Sequence, residues 1–301
     1  MRIISLLPSA TEICFALGLD NELVGVTHEC DYPPAALIKP KITRSKASEH
    51  LSSSEIDTLI RSQLNETGSI YELDLKALES LKPDLILTQL LCTVCAVTFD
   101  YVAEQAAKLS TKPQVINLEP RTLDEVFDSI IQVGRLAGKK NAEEYVLTLR
   151  GRVNDLSNQV RNFPKSSMLF LEWADPPFAS GHWIPELIEL AGGINTKAFK
   201  HFPSRQINWQ DVNEAKAEII FIAECGFGVK RQLQDVKKFI QNLTYKPREI
   251  WIADGSQYFS RPGPRLVESL DILAGVLHQE IRGKTLSRFI QNEEIQRWYT
   301  I

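Results

Sequence analysis

The sequence predicts an α/β protein of two similar lobes, each built on a mainly parallel sheet, joined by one long α-helix. Three observations predict it. Short β-rich runs alternate with helical patterns from the first residues onward, as in sheets whose strands are linked by crossover helices. A helical pattern runs from Thr122 to about Phe163, interrupted only near Gly138. Two segments, Asp74–Thr88 and Asp211–Ala223, repeat one order: a short helix, a lysine-containing turn and an apolar strand.

Taken in order, Ile3–Leu7 reads as the first strand. A helix follows Pro8, with Ser9 as N-cap and Glu12 at capping-box spacing, and Gly18 ends it. Leu23–Thr27 is the next strand. Asp74 caps a helix over Leu75–Leu81 that runs through Lys82-Pro83 into strand Leu85–Thr88, with Val115–Leu118 following. Thr122 and Glu125 open the long connector. After Pro164 come strand Met168–Glu172, a helix from Pro185 to Ala191 closed by Gly192-Gly193, and strand Glu218–Ala223. A helix over Val229–Asn242, strand Glu249–Ala253 and a helix from Pro264 to His278 complete the series. This divides the chain into a lobe over 1–120, a connecting helix over 121–163 and a lobe over 164–301. A length of 301 residues suits two domains, because single cores stop growing at roughly 250–300 residues.

Composition excludes several classes. With 44% hydrophobic and 24% charged residues the chain has the material for a core and no signature of disorder. A net charge of −4, without a basic stripe, argues against nucleic acid. The longest apolar runs, such as Ile219-Ile220-Phe221-Ile222, fall far short of the ~20 residues of a membrane span. Met1-Arg2 leads directly into Ile3-Ile4 without a leader-like apolar stretch, so the sequence as it stands reads as cytoplasmic, or periplasmic if a signal peptide is missing. No GxSxG, HExxH, GxGxxG or Walker sequence is present, so no catalytic residue is assigned and the chain is not read as an enzyme.

Ligands of parallel sheets gather beyond the carboxyl ends of the strands, and here those loops are rich in rings. Trp173, Phe178, Trp183, Phe227, Tyr258 and Phe259 offer flat apolar faces for a large, partly aromatic ligand, although any one of them can equally cap the core. Ser9, at a helix N-terminus, and His28, Glu29, Tyr32, His182 and Arg261 supply polar groups in the same loops.

Four of these segments look familiar together: Ser5-Leu6-Leu7-Pro8-Ser9-Ala10-Thr11-Glu12; Val24-Gly25-Val26-Thr27 with Asp31-Tyr32-Pro33-Pro34; Leu81-Lys82-Pro83-Asp84-Leu85-Ile86-Leu87; and Ser260-Arg261-Pro262-Gly263-Pro264-Arg265. They resemble the vitamin B12 and siderophore substrate-binding proteins of ABC importers, in particular the members called cobalamin-binding proteins. The resemblance implies two Rossmann-like lobes on a stiff helical backbone, cobalamin or a related corrinoid clasped in the cleft between them, and an ABC permease as partner. It places the loops at His28–Tyr32, Gln89–Cys95, Trp173–Trp183, Cys225–Phe227 and Tyr258–Arg261 along that cleft.

The cysteines support a second reading. Cys30, Cys92, Cys95 and Cys225 fall in the ligand loops, and only Cys14 sits inside a helix. The Cys92/Cys95 spacing lets two thiolates reach one metal, and soft thiolates select zinc, copper(I) or an iron–sulfur cluster. A metal- or cluster-binding protein, enzymes included, is therefore an alternative, as is a siderophore or haem receptor of an importer. Buried cysteines are also ordinary small hydrophobes.

Overall fold

The computed structural model describes residues 1–45, 53–56, 58–59, 62, 71–89 and 99–300. The chain forms two units, Met1–Pro120 with Glu125–Val146, and Arg121–Asp124 with Leu147–Ile301.

The first unit is built on β1 (Ile3–Ser5), β2 (Leu23–Val26), β5 (Leu85–Thr88) and β6 (Gln114–Asn117), in the order β2-β1-β5-β6 and parallel throughout. β1 and β5 are buried along their whole length, which is why they read as unbroken apolar runs rather than as alternation. The short strands β3 (Thr43–Ser45) and β4 (Tyr71–Leu73) pair antiparallel beside this sheet. Ile4, Leu6, Ile86, Val102 and Leu109 form the core of the unit.

Helix α1 (Pro8–Ala16) begins two residues earlier than the capping pattern suggested. Its N-cap is Leu7, which makes no side-chain cap bond, and Ser9 lies buried inside the first turn. Pro8 accounts for this: its fixed φ and missing N–H suit the first helical position and leave Ser9 beyond the cap. The stop occurs as expected. Gly18, at φ +66°, lets its own N–H reach the Phe15 carbonyl at 3.0 Å and the Leu19 N–H reach Cys14 at 2.8 Å, satisfying two carbonyls left over at the helix end.

Helix α2 (Leu75–Leu81) has the expected cap, with the Asp74 carboxylate accepting from the Ala77 N–H at 2.9 Å. Asp74→Ala is expected to lower stability by about 1 kcal/mol, read as a shift of the urea midpoint, because it removes the side-chain acceptor that satisfies the Ala77 N–H at that terminus. Helix α3 (Phe99–Lys108) follows β5.

The helical stretch expected over 122–163 is realised as α4 (Leu123–Leu136) and α5 (Ala142–Val160). The break falls at the Gly138 that interrupts the pattern. Gly138, at φ +70°, donates to Arg135 at 3.1 Å and the Lys139 N–H to Gly134 at 2.8 Å, the same closure as at Gly18.

The second unit contains β7 (Ser167–Ala174), β8 (Pro177–Ala179), β9 (Gly181–His182), α6 (Ile184–Leu190), β10 (Ile194–Asn195), β11 (Phe199–Lys200), β12 (Arg205–Gln206), α7 (Trp209–Ala215), β13 (Ile219–Ile222), α8 (Val229–Gln241), β14 (Glu249–Ala253), α9 (Gly255–Tyr258), α10 (Leu266–Leu277), α11 (Gln279–Gln291) and β15 (Ile295–Thr300). Its sheet runs β12-β8-β7-β13-β14-β15, with β10 also on β7; β10, β7, β13 and β14 are parallel, while β8, β12 and β15 are antiparallel. Leu169, Ile220, Ile222, Phe239 and Ile250 lie at the centre of one core cluster.

The internal echo extends to the backbone. α7 is opened by Asn208, which accepts from the Asp211 N–H at 2.8 Å in a capping box, and it ends at Lys216 with φ 42°. α2 ends likewise at Lys82 with φ 44°. In both copies a left-handed lysine turns a short helix into a fully buried apolar strand, β5 or β13. Non-glycine residues adopt this conformation rarely, so its recurrence at equivalent lysines marks a shared helix-to-strand turn.

Candidate functional site

In the first unit all four strands of the main sheet point the same way, so among the described residues the loops after β1, β2 and β6 leave from one edge. A chain of buried hydroxyls holds two of them together: Thr11 donates to Ser5 at 2.9 Å, and Ser5 donates to the Leu7 carbonyl at 2.8 Å. The Cys30 thiol sits 3.1 Å from Thr11 Oγ1 and 3.3 Å from Thr27 Oγ1, and the residue is 1% exposed. Burial pushes this thiol up, with the two hydroxyls only partly offsetting it, so it stays protonated. Cys14 is likewise buried, and burial pushes it up to about 12. Neither presents a thiolate, the form that binds metals.

His28 occupies the same edge in a different way. Thr43 Oγ1 lies 2.8 Å from its Nδ1 and accepts its backbone N–H at 3.2 Å. The Tyr71 ring is tilted 52° against the imidazole at 5.3 Å, and the Tyr71 hydroxyl donates to Glu29 at 2.8 Å. Thus β3 and β4, neither of which stands out in the sequence, supply the brackets for two expected site residues. Tyr32 is 41% exposed.

In the second unit β7, β13 and β14 run parallel and end at the same edge, where Gln232 on α8 fastens the ends of β13 and β14. Its Oε1 accepts the Glu224 N–H at 3.0 Å, and its Nε2 donates to Ala253 at 2.8 Å and to Phe227 at 3.1 Å. Gly255 brings backbones closer than any side chain permits: a Cβ there would stand 2.1 Å from the Glu224 carbonyl oxygen.

Two acids close these strands. Glu172 accepts from the Gly181 N–H at 2.8 Å and from the Ser204 side chain, yet burial raises it to about 7. Glu224 is fully buried and accepts from the Ala174 N–H at 2.9 Å; burial first, and then Asp235, raise it to about 8, against Arg231. Both were overlooked in the sequence, where the available signal is a carboxylate directly after an apolar strand, Leu171-Glu172 and Ala223-Glu224. Gln232 had no such signal.

The six expected aromatics divide into two groups. Trp173, Phe178 and Phe227 are half-buried: Trp173 and Phe227 lie 5.1 Å apart, Phe178 pairs across from Trp173 on β8, and the Arg231 guanidinium covers Phe227 at 4.5 Å. Arg231 also pairs with Asp235 at 2.8 Å. Trp183, Tyr258 and Phe259 are instead core residues. The Trp183 indole donates to the Phe259 carbonyl at 3.1 Å, Phe259 packs edge-on against Phe170 and Phe221, and Tyr258 packs on Phe289. His182, at φ 49°, stacks on Trp183. Arg261 is buried and donates to Ser256 at 3.1 Å, while Arg265 donates to Gln257, itself bonded to Asp254; the Arg261–Arg265 turn is thereby anchored from within.

Among the described residues, no group of three or more His, Cys, Asp and Glu side chains stands ready to hold a metal. The zinc and iron–sulfur expectation therefore gains no support: Cys30 faces the interior, Cys225 is half-buried, and Cys92 and Cys95 lie outside the described residues. Among the described residues no helix is long and apolar enough to cross a membrane.

The family described as Periplasmic binding protein matches residues 3–246. A vitamin B12-binding protein of Vibrio cholerae is 27% identical over 282 residues, covering 90% of this chain and 86% of the relative. Among solved structures, the periplasmic vitamin B12 binding protein of Vibrio cholerae superposes with a TM-score of 0.65 at 23% identity, covering 91% of this chain and 94% of the other. A periplasmic heme binding protein from Pseudomonas aeruginosa superposes with a TM-score of 0.71 at 15% identity, covering 99% and 95%. Both structures are described as periplasmic, so the cytoplasmic expectation drawn from the first residues finds no support.

Proposed function

Because this chain belongs to the periplasmic binding protein family, we propose that it binds cobalamin or a related corrinoid, without catalysis, and delivers it to the permease of an ABC importer. The observation that carries the ligand class is the sequence match, over nine-tenths of the chain, to relatives named vitamin B12-binding proteins. The ring surface at the edge of the second unit's sheet is consistent with it. Trp173, Phe178 and Phe227 present flat apolar faces beside polar backbone, the combination that a broad macrocycle with amide arms requires. The compartment in this reading is the one the family's description states.

Calorimetric titration with cyanocobalamin tests the reading. Saturable one-to-one binding is expected, and Trp173→Ala should weaken it by about tenfold, or ~1.4 kcal/mol, through the lost ring face. No heat at millimolar ligand with folded protein would overturn it. Titration with ferric haem and with ferric siderophores places the ligand within the class: either of these binding more tightly than the corrinoid would redirect the assignment.

A further inference from the structure

We propose that His28 is an axial nitrogen ligand for the central metal of the bound tetrapyrrole, in the first instance the cobalt of a corrinoid. This rests on the binding reading above and deepens it, since a corrinoid carries a metal whose outer axial position takes an exchangeable ligand.

The imidazole is built as such a ligand would be. It stands just after β2, at the edge where the first unit's loops meet, with 27% of its side chain exposed. Thr43 Oγ1 accepts the His28 backbone N–H at 3.2 Å and lies 2.8 Å from Nδ1. That contact orients the ring, and in the tautomer protonated at Nδ1 it leaves the lone pair on Nε2, the outer-shell arrangement typical of metal-bound histidines. Among the described residues Nε2 makes no hydrogen bond, and the Glu29 carboxylate at 4.0 Å is its nearest ionic neighbour. Glu29 is itself engaged by the Tyr71 hydroxyl, and the Tyr71 ring braces the imidazole from the side. Burial lowers the affinity of His28 for a proton, Glu29 partly offsets this, and Lys41 adds to it, which favours the neutral ring. Lys41 is held away by the carbonyls of Cys30 and Ala36, at 2.8 and 3.2 Å.

The step involves no redox change. In aquocobalamin the cobalt(III)–oxygen bond to the axial water breaks, the water leaves, and the Nε2 lone pair forms a cobalt–nitrogen bond. In cyanocobalamin cyanide holds that position, so its binding measures fit alone.

Visible spectra and affinities of both corrinoids should be recorded with the wild-type protein, His28→Ala and Thr43→Val. The expected result is a shift of the aquocobalamin bands on binding to wild type that is absent in His28→Ala. The ratio of aquocobalamin to cyanocobalamin affinity should fall by at least about tenfold in His28→Ala, and by about tenfold in Thr43→Val, the scale of losses when an outer-shell partner is removed. Cyanocobalamin binding by each variant reports that it is folded. Wild type that binds cyanocobalamin yet leaves the aquocobalamin spectrum unshifted, or a shift that persists in His28→Ala, overturns the ligation and leaves the binding reading standing. A protein that binds neither corrinoid but gives a His28-dependent Soret shift with ferric haem overturns the corrinoid reading and supports the ligation. No binding of any tetrapyrrole overturns both.

Discussion

Replacing Glu249 with alanine is expected to destabilise the second unit by about 3–5 kcal/mol, the scale observed when one partner of a buried ion pair is removed. Glu249 opens β14 and is fully buried. One oxygen accepts from Arg282 at 3.2 Å and Arg297 at 2.9 Å; the other accepts from Arg282 at 2.9 Å and the Trp251 indole at 2.6 Å. Arg282 also donates to the Gly275 and Val276 carbonyls at the end of α10, so a single carboxylate ties β14 to the α10–α11 junction and to β15. Alanine would leave the largely buried Arg282 and its neighbour Arg297 without their counter-charge and the buried Trp251 indole N–H without this acceptor, and that penalty, rather than any lost attraction, sets the size of the effect. Arg297→Ala should cost far less, because Arg297 is one-third exposed and Arg282 still balances the carboxylate. Urea unfolding followed by tryptophan fluorescence measures both. Equal midpoint shifts for the two variants would contradict this division of labour.

This network also shows where the sequence stops being readable. β1, β5, β7, β13 and β14 stand out because they are buried on both faces and leave runs of apolar residues. β15 does not, because Arg297 within it serves a carboxylate 48 positions earlier in the chain, which breaks the apolar alternation that marks a strand. β3 and β4 are three residues each, with Arg44 and Glu72 at their centres, too short and too polar to register. Helix ends were more legible, since Asp74, Gly18 and Gly138 act through their immediate neighbours. The loops that form the candidate site could be located, but their contents could not be sorted. Trp173 and Trp183 look alike in sequence; what separates them is the Phe259 carbonyl, 76 positions away, that takes up the Trp183 indole. The partners of His28 come from β3 and β4 for the same reason. Local chemistry marks turns and caps, whereas burial depends on contacts made across the whole chain.

The pH dependence of stability is the second large effect, and Glu224 sets its upper part. In the unfolded chain this carboxyl titrates near its ordinary 4.5, and in the folded protein near 8. Below about 4.5 it is protonated in both states and favours neither. Between 4.5 and 8 only the folded state keeps the proton, so stability falls as pH rises, and above 8 the fall is complete. Three and a half units at about 1.4 kcal/mol each set an upper bound of about 4–5 kcal/mol. Glu172, raised to about 7, adds a slope of the same sign that ends one unit lower. The two therefore separate: between pH 7 and 8 the remaining slope belongs to Glu224. Glu224→Gln keeps an oxygen for the Ala174 N–H and places an uncharged amide where the second carboxyl oxygen, without a hydrogen-bond partner among the described residues, now lies buried. The variant should match wild type at pH 5, exceed it by several kcal/mol at pH 9, and lose the slope between 7 and 8. Parallel stability curves for the two proteins would show that Glu224 does not carry the proton. Ionisation of Glu224 places an unsolvated charge beside Ala174 and Trp173, and relief of that burial cost is expected to disturb the strand end that presents the half-buried ring. Wild-type ligand affinity should then decline above pH 8, while that of Glu224→Gln holds level.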